Sequence, residues 1–137
     1  MNITAATFGY KSVDKMEEEA LYLINSTLRR IQDLRLRKEV KAIFDEDTDK
    51  VNVFNTLVRL TRARYLFEKV RSGHYQYLLY LAIDTKNLAI AIQKSTNDDE
   101  RQDLIKSYLE TQDNYNTLEI STYQGSYLYK YLHFRLQ

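Results

Sequence analysis

The sequence predicts a mainly α-helical protein, an antiparallel four-helix bundle with a C-terminal β-hairpin or a short terminal helix. Residue types that interrupt helices are scarce, since the 137 residues include no proline and only three glycines. Apolar residues recur at three- and four-residue spacing over most of the chain. The chain is 44% hydrophobic and 28% charged, which is typical of one globular domain that buries a single core. We therefore treat residues 1–137 as a single helical domain.

The first helix is predicted from Val13 to Phe44, after an irregular N-terminal arm over residues 1–11. Ser12 is a suitable N-cap, and acidic residues follow it at the positive end of the helix dipole. The apolar stripe of this helix moves to nearly the opposite face after Leu34. The displaced stripe consists of Leu36, Val40, Ile43 and Phe44. We expect either a kink near residues 33–35 or two halves that pack against different partners.

The second and third helices are predicted over residues 50–71 and 74–94. A run of acidic residues at 45–49 separates the second helix from the first and offers several N-caps. The second helix has one apolar face, and Arg62 and Lys69 lie on its outer side. The third helix is apolar on nearly all sides, which predicts a central element enclosed by the others.

The fourth helix is predicted to begin after a capping signal at residues 95–100 and to end near Asn114. Over residues 117–137 the apolar period changes to two, which predicts a β-hairpin. One face of this hairpin would carry Tyr127, Tyr129 and Tyr131. The alternative is a fourth helix that continues to Tyr123 and is followed by a short final helix.

The sequence carries no pattern typical of catalysis, and we predict that the protein is not an enzyme. His74 and His133 lie far apart and do not have the spacing of a zinc site, and the chain has no cysteine. Three isolated glycines cannot form a phosphate-binding loop. The acidic runs lie at helix starts or in a loop, where the helix dipole and solvent explain them. We expect no catalytic residue, no metal ligand and no cofactor.

Composition also indicates the cellular location of the protein and the kind of genome that encodes it. The most apolar stretch, residues 75–92, is interrupted by charged and polar side chains, so we expect no membrane partner. No secretory signal is apparent, which favours a cytoplasmic location, or a virion if the protein is encoded by a phage. Twelve tyrosines, with many Ile, Asn and Lys, indicate an AT-rich genome such as that of a phage or a low-GC bacterium.

Charge is distributed unevenly along the chain. Residues 29–71 carry a net charge of +5, and the remainder carries −4, although the whole chain has only +1. Six cations of the basic half are expected on outer helix faces. They are Arg30, Arg37, Lys38, Lys41, Arg62 and Lys69. A basic strip of this kind could bind the phosphates of a nucleic acid, which is the alternative hypothesis.

The preferred hypothesis is a non-catalytic interaction or assembly module, an adaptor or structural protein that acts in a homo-oligomer or a larger complex. The displaced stripe gives the first helix a second apolar face, and the three hairpin tyrosines have the amphipathic rings that are enriched at interfaces. Opposed basic and acidic regions suit head-to-tail contacts between copies. The predicted interface therefore comprises the displaced stripe and the three hairpin tyrosines.

Overall fold

The described chain is almost entirely helical. A computed structural model describes residues 2–45, 52–71 and 76–123, and these contain helices and no strand. A 3₁₀ turn, Ala5–Phe8, precedes five α-helices: α1 Val13–Arg30, α2 Leu34–Asp45, α3 Val53–Arg71, α4 Gln76–Lys94 and α5 Asp98–Tyr123. The predicted mainly α-helical bundle is therefore confirmed.

The predicted first helix is two helices that meet at a sharp break. Ile31 is extended (φ −96°, ψ 128°), and α2 then begins where the Asp33 carboxylate accepts the backbone N–H of Arg35 at 2.8 Å. The Arg37 guanidinium donates from Nη1 to the carbonyl oxygens of Leu28 (2.7 Å) and Ile31 (3.0 Å). It thereby satisfies carbonyls that the end of α1 leaves without helical partners. The move of the apolar stripe reflects this break.

The starts of α1 and α5 follow the predicted capping signals, whereas α3 begins at Val53 after Asn52, outside the predicted cap run at residues 45–49. Ser12 Oγ accepts a first-turn N–H of α1 at 3.2 Å. Asn97 Oδ1 accepts the N–H of Glu100 at 3.0 Å, one half of the predicted capping box. Asn52 Oδ1 accepts the N–H of Phe54 at 2.9 Å at the start of α3. Each of these bonds satisfies an otherwise unpaired donor of a first turn.

Helix α3 is the central element of the bundle. It packs against α1, α2 and α4, and α4 packs in turn against α5. α5 runs parallel to α3, because Arg64 contacts Gln112 and Arg71 contacts Glu119, so both helices advance together. Only residues 95–97 connect α4 to α5, which makes these two helices antiparallel neighbours.

The N-terminal arm is part of the core. Phe8 and Tyr10 are buried, and the Phe8 ring packs edge-on against Tyr108 with centroids 5.7 Å apart. Gly9 closes the 3₁₀ turn in the left-handed region (φ 85°), which a residue without Cβ adopts without strain. The predicted arm thus contains one 3₁₀ turn, and these two aromatic side chains anchor it on α1 and α5.

The end of α5 corrects the predicted hairpin in part. Residues 117–123 are helical, so the short alternation around Leu118 is not a strand. The physical reason for the helix is that Tyr115 and Leu118 pack into one small apolar cluster. Their separation of three residues is a helical spacing. The alternative of a helix that reaches Tyr123 is confirmed. Residues 124–137, including Tyr127, Tyr129 and Tyr131, lie outside the described residues.

Helix α4 is apolar but not enclosed. One stripe, which includes Leu78, Ala82 and Ile92, is fully buried. On the other side Tyr77 and Tyr80 are exposed, so the expectation that other helices surround this element is wrong. Within the described chain, α4 and the other helices all lack the combination of length and apolar character that a membrane span needs.

Candidate functional site

Charged side chains enter the interior along α3. Arg59, Arg64 and Glu68 are all buried, although their helix is otherwise the apolar centre of the fold. Glutamates of α1 and polar residues of α5 meet them there. We call this set the buried charge network; its members are Glu17, Glu19, Arg59, Arg64, Glu68, Arg71, Gln112, Tyr115 and Glu119.

Arg64 joins α1 to α5 through α3. Its Nη2 lies 3.4 Å from Glu19 Oε1, and its Nη1 donates to Gln112 Oε1 at 2.5 Å. The Tyr10 hydroxyl donates to the other oxygen of Glu19, so the N-terminal arm also contacts this group. The guanidinium carbon lies 5.4 Å from the Tyr115 ring centroid, within cation–π range. One fully buried cation on α3 therefore contacts both α1 and α5.

Arg71 joins the ends of α3 and α5. It binds the Glu119 carboxylate through two bonds, Nη1 to Oε1 at 3.0 Å and Nη2 to Oε2 at 2.7 Å. Its Nη2 also contacts Glu68 Oε1, which accepts the Tyr115 hydroxyl at 2.7 Å. Two carboxylates therefore share one guanidinium, and the bidentate bond fixes their geometry.

The network contains one carboxylate more than it contains guanidinium groups. Burial raises the pKa of Glu68 to about 7; the charge of Arg71 opposes this, and that of Glu119 reinforces it. Burial also raises the pKa of Glu119, against its hydrogen bond to Arg71. Burial lowers the pKa of Arg71, but Glu119 and Glu68 raise it more, so the guanidinium stays charged. Glu68 is thus a carboxyl group of the network that titrates near neutral pH.

The buried charge network lies in the interior and joins α1, α3 and α5. Arg64, Glu68 and Glu119 are completely buried. Among the described residues, no group of three or more His, Asp or Glu side chains could hold a metal ion. Breaking a buried ion pair leaves an uncompensated charge, which costs about 3–5 kcal/mol, so the network fixes the register of three helices.

The displaced stripe that was predicted to form an interface faces the chain's own core. Val40 is fully buried, and Leu36 and Ile43 are partly buried against the same core. The side chain of Phe44 lies outside the described residues. Within one chain this stripe therefore already has a partner.

The six predicted phosphate-binding cations lie in different environments. Arg37 caps α1 through two backbone carbonyls, and the Arg30 guanidinium lies 5.5 Å from the Phe67 ring centroid. Lys38 and Lys41 are exposed on α2. The remaining two, Arg62 and Lys69, lie beside the Tyr65 ring on α3.

Two tyrosines of α4 form an exposed face that the sequence analysis did not predict. Tyr77 is 77% exposed and Tyr80 is 56% exposed, and they lie one turn apart on the same side. The signal in the sequence was the all-round apolar character of this helix, which we interpreted as full burial. An apolar helix at the edge of a bundle instead presents its surplus face to solvent. We call Tyr77 and Tyr80 the tyrosine face.

The buried charge network was also missed. The acidic run at the start of α1 was assigned to dipole compensation, although Glu19 is buried. A signal did exist, because Arg64, Glu68 and Arg71 have helical spacing, and polar residues 112, 115 and 119 repeat nearly the same spacing. Matched polar spacings on two helices indicate paired interior faces.

Comparison of the chain with protein families, with curated proteins and with solved structures finds no match.

Proposed function

We propose that the protein is a non-catalytic interaction module that acts in a homo-oligomer or a larger assembly. The observation that carries this proposal is the tyrosine face, in which two large aromatic rings stand in solvent one turn apart. Aromatic side chains are enriched in the buried centres of protein interfaces, where the ring loses water and the hydroxyl keeps a partner. Tyr77 and Tyr80 thus replace the displaced stripe as the proposed contact surface.

The enclosed interior supports the same proposal. One strongly perturbed group, Glu68, is fully buried and is covered by Arg71 and Tyr115. Perturbed ionisable groups indicate catalysis when they lie in an accessible pocket. Here they hold helices together, and a rigid bundle is a suitable scaffold for presenting an aromatic face.

The experiment is size-exclusion chromatography with light scattering on the wild type and on Tyr77→Glu/Tyr80→Glu, over about a hundredfold range of concentration. We expect an oligomeric wild type and a monomeric variant, because two carboxylates in a buried interface would lose their hydration. Leu34→Glu is the matched control, since Leu34 is 74% exposed but lies on α2.

The control variant should keep the wild-type mass. A wild type that stays monomeric at every concentration would overturn the homo-oligomer, and a tyrosine-face variant that keeps the wild-type mass would overturn the tyrosine face as its contact surface. Circular dichroism of each variant separates loss of association from loss of folding.

The alternative is nucleic-acid binding, and one observation favours it. Two lysines, Lys69 and Lys86, converge on the Tyr65 ring beside Arg62, and Lys38 and Lys41 are exposed on α2. Exposed lysines on neighbouring helices can neutralise phosphates and release counterions. The salt dependence of binding, argued in the Discussion, tests this alternative.

A further inference from the structure

A groove between α2, α3 and α4 has a cationic rim and an apolar floor. It has a volume of about 320 Å³, and its floor includes Ile43, Leu66 and Ile90. Arg62 and Lys86 line it together with a single acid, Glu39. With Lys69 over the Tyr65 ring, the rim holds three cations against one anion. We call Arg62, Tyr65, Lys69 and Lys86 the basic groove.

The lysine charges of the basic groove are not neutralised within the described chain. Lys86 Nζ lies 4.2 Å from the Tyr65 ring centroid and Lys69 Nζ lies 5.9 Å from it, and neither has a carboxylate partner among the described residues. The ring attracts both ammonium groups but carries no net charge. Because the ring does not neutralise the two positive charges, they favour the binding of an anion from outside the chain.

The start of α5 carries a surplus of negative charge that complements the basic groove. Asp98, Asp99, Glu100 and Asp103 are all exposed. The one cation in this stretch, Arg101, is turned away from them: its Nε donates to the carbonyl of Ile92 at 3.3 Å, and its guanidinium lies 4.6 Å from the Phe54 ring centroid. The four carboxylates therefore have no neutralising neighbour within residues 98–103. We call them the acidic turn.

One copy of the chain cannot bring these two surfaces together. Arg101 packs on Phe54, which places the acidic turn at the start of α3. Tyr65 lies eleven residues further along α3, about 16 Å away at the rise of an α-helix. Contact between the basic groove and the acidic turn therefore requires two molecules.

We propose that the basic groove binds the acidic turn of a second copy of this chain, so that copies associate head to tail. This inference rests on the proposed homo-oligomer and assigns it a second contact surface. Such a heterologous contact generates rings or filaments, which suits a structural protein. A nucleic acid fits the groove less well, because the lysines already occupy the Tyr65 ring on which a base would stack.

The test is a charge-swap experiment by light scattering at low and at high salt. Lys69→Glu/Lys86→Glu reverses the basic groove, and Asp99→Lys/Asp103→Lys reverses the acidic turn. We expect each variant alone to raise the dissociation constant about tenfold or more, because like charges then face each other. An equimolar mixture of the two should regain the wild-type assembly, since each reversed surface then meets an opposite charge.

Lys38→Glu/Lys41→Glu is the matched control, because it makes the same change in charge on the exposed side of α2 and should leave the assembly intact. The neutral pairs Lys69→Gln/Lys86→Gln and Asp99→Asn/Asp103→Asn repeat the test with less perturbation of folding. They should weaken association to a smaller extent, and high salt should weaken the wild type.

Three results would overturn the inference. An oligomer that neither reversal changes would remove the groove as a contact and leave the tyrosine face as the proposed interface. A wild type that is monomeric throughout would remove both the groove contact and the proposed homo-oligomer. Nucleic acid that is bound by the wild type and lost in Lys69→Glu/Lys86→Glu would assign the groove to phosphates instead.

Discussion

At the scale of single residues, Glu68 carries the surplus charge of the buried charge network. Its Oε1 accepts from Tyr115 and Arg71, whereas its Oε2 is buried without a hydrogen-bond partner among the described residues. A buried acceptor without a donor is costly, and a proton on that oxygen lowers the cost. Glu119, which binds the same guanidinium, raises the pKa of Glu68 further. The interior is therefore more stable with Glu68 protonated.

The contribution of Glu68 to stability should consequently fall as the pH rises from about 4.5 to about 7. In that window the folded chain holds a proton on Glu68 that the unfolded chain has released, so the free energy of unfolding decreases with pH. Glu68→Gln keeps an oxygen for Tyr115 and Arg71 and removes the titration. We expect it to flatten this slope and to stabilise the protein above neutral pH by up to about 3 kcal/mol.

Urea denaturation at a series of pH values measures this effect. Glu18→Gln is the control, because Glu18 is exposed and pairs only with Lys15 at 3.2 Å among the described residues. Its slope should match that of the wild type. Glu119 contributes a slope of the same sign in all variants. An unchanged slope in Glu68→Gln would show that this residue does not carry the surplus proton.

At the scale of elements, the sequence was most informative where the local chemistry was strong. The N-caps Ser12 and Asn97 mark the starts of α1 and α5, because a side-chain acceptor at a helix start acts locally. The break at Asp33 was indicated by the displaced stripe. The predicted end of the fourth helix, near Asn114, was wrong. Tyr115 and Leu118 pack together against α4, and the periodicity of one segment does not include contacts with another helix.

The tyrosine face and the buried charge network were not predicted for the same reason, because both depend on contacts between helices. The tyrosine face depends on which side of α4 remains uncovered, and sequence periodicity cannot give that for a helix that is apolar all round. The buried charge network depends on pairing between residues far apart in the sequence, as in Arg64 with Glu19, 45 residues away. Charged residues were expected in solvent, which is their usual environment, and Arg64 departs from it because its partners are also buried.

A substitution of Arg37 tests how α2 packs on α1. Because its guanidinium binds two carbonyls at the end of α1, Arg37→Ala should leave both without that donor and lower the free energy of unfolding by about 1–3 kcal/mol. Lys38→Ala, the adjacent exposed residue, should change it by less than about 0.5 kcal/mol. Denaturant titration of the pair makes the measurement. Equal effects would contradict a capping role for Arg37.

At the scale of the whole molecule, the fold neutralises part of the charge asymmetry in the sequence. Residues 29–71 contain twelve Lys or Arg and seven Asp or Glu. Arg59, Arg64 and Arg71 lie in the buried charge network, where they contact Glu17, Glu19 and Glu119 from the acidic part of the chain. Without these three arginines and Glu68, nine cations and six anions remain in the basic segment, a net charge of +3 instead of +5.

The smaller net charge of residues 29–71 predicts weak binding to nucleic acid. A strip of six phosphate contacts would give a slope of about −5 in a plot of log binding constant against log salt concentration. Arg37 donates to backbone carbonyls and Arg30 packs over Phe67, so we expect fewer than six phosphate contacts. We expect fluorescence anisotropy with labelled single- and double-stranded DNA and RNA to show no binding at about 0.15 M salt and a slope no steeper than about −3 at lower salt.

The variant Lys38→Glu/Lys41→Glu makes this measurement decisive. If the cations act only as solvated surface charges, the variant should reduce weak binding at low salt and leave the oligomer unchanged. Binding that persists at about 0.15 M salt, with a slope near −5 that this variant lowers by about two, would favour the nucleic-acid alternative over the assembly proposal. The two functions thus differ in one observable, since only a nucleic-acid-binding protein should hold a labelled oligonucleotide at about 0.15 M salt with a slope near −5.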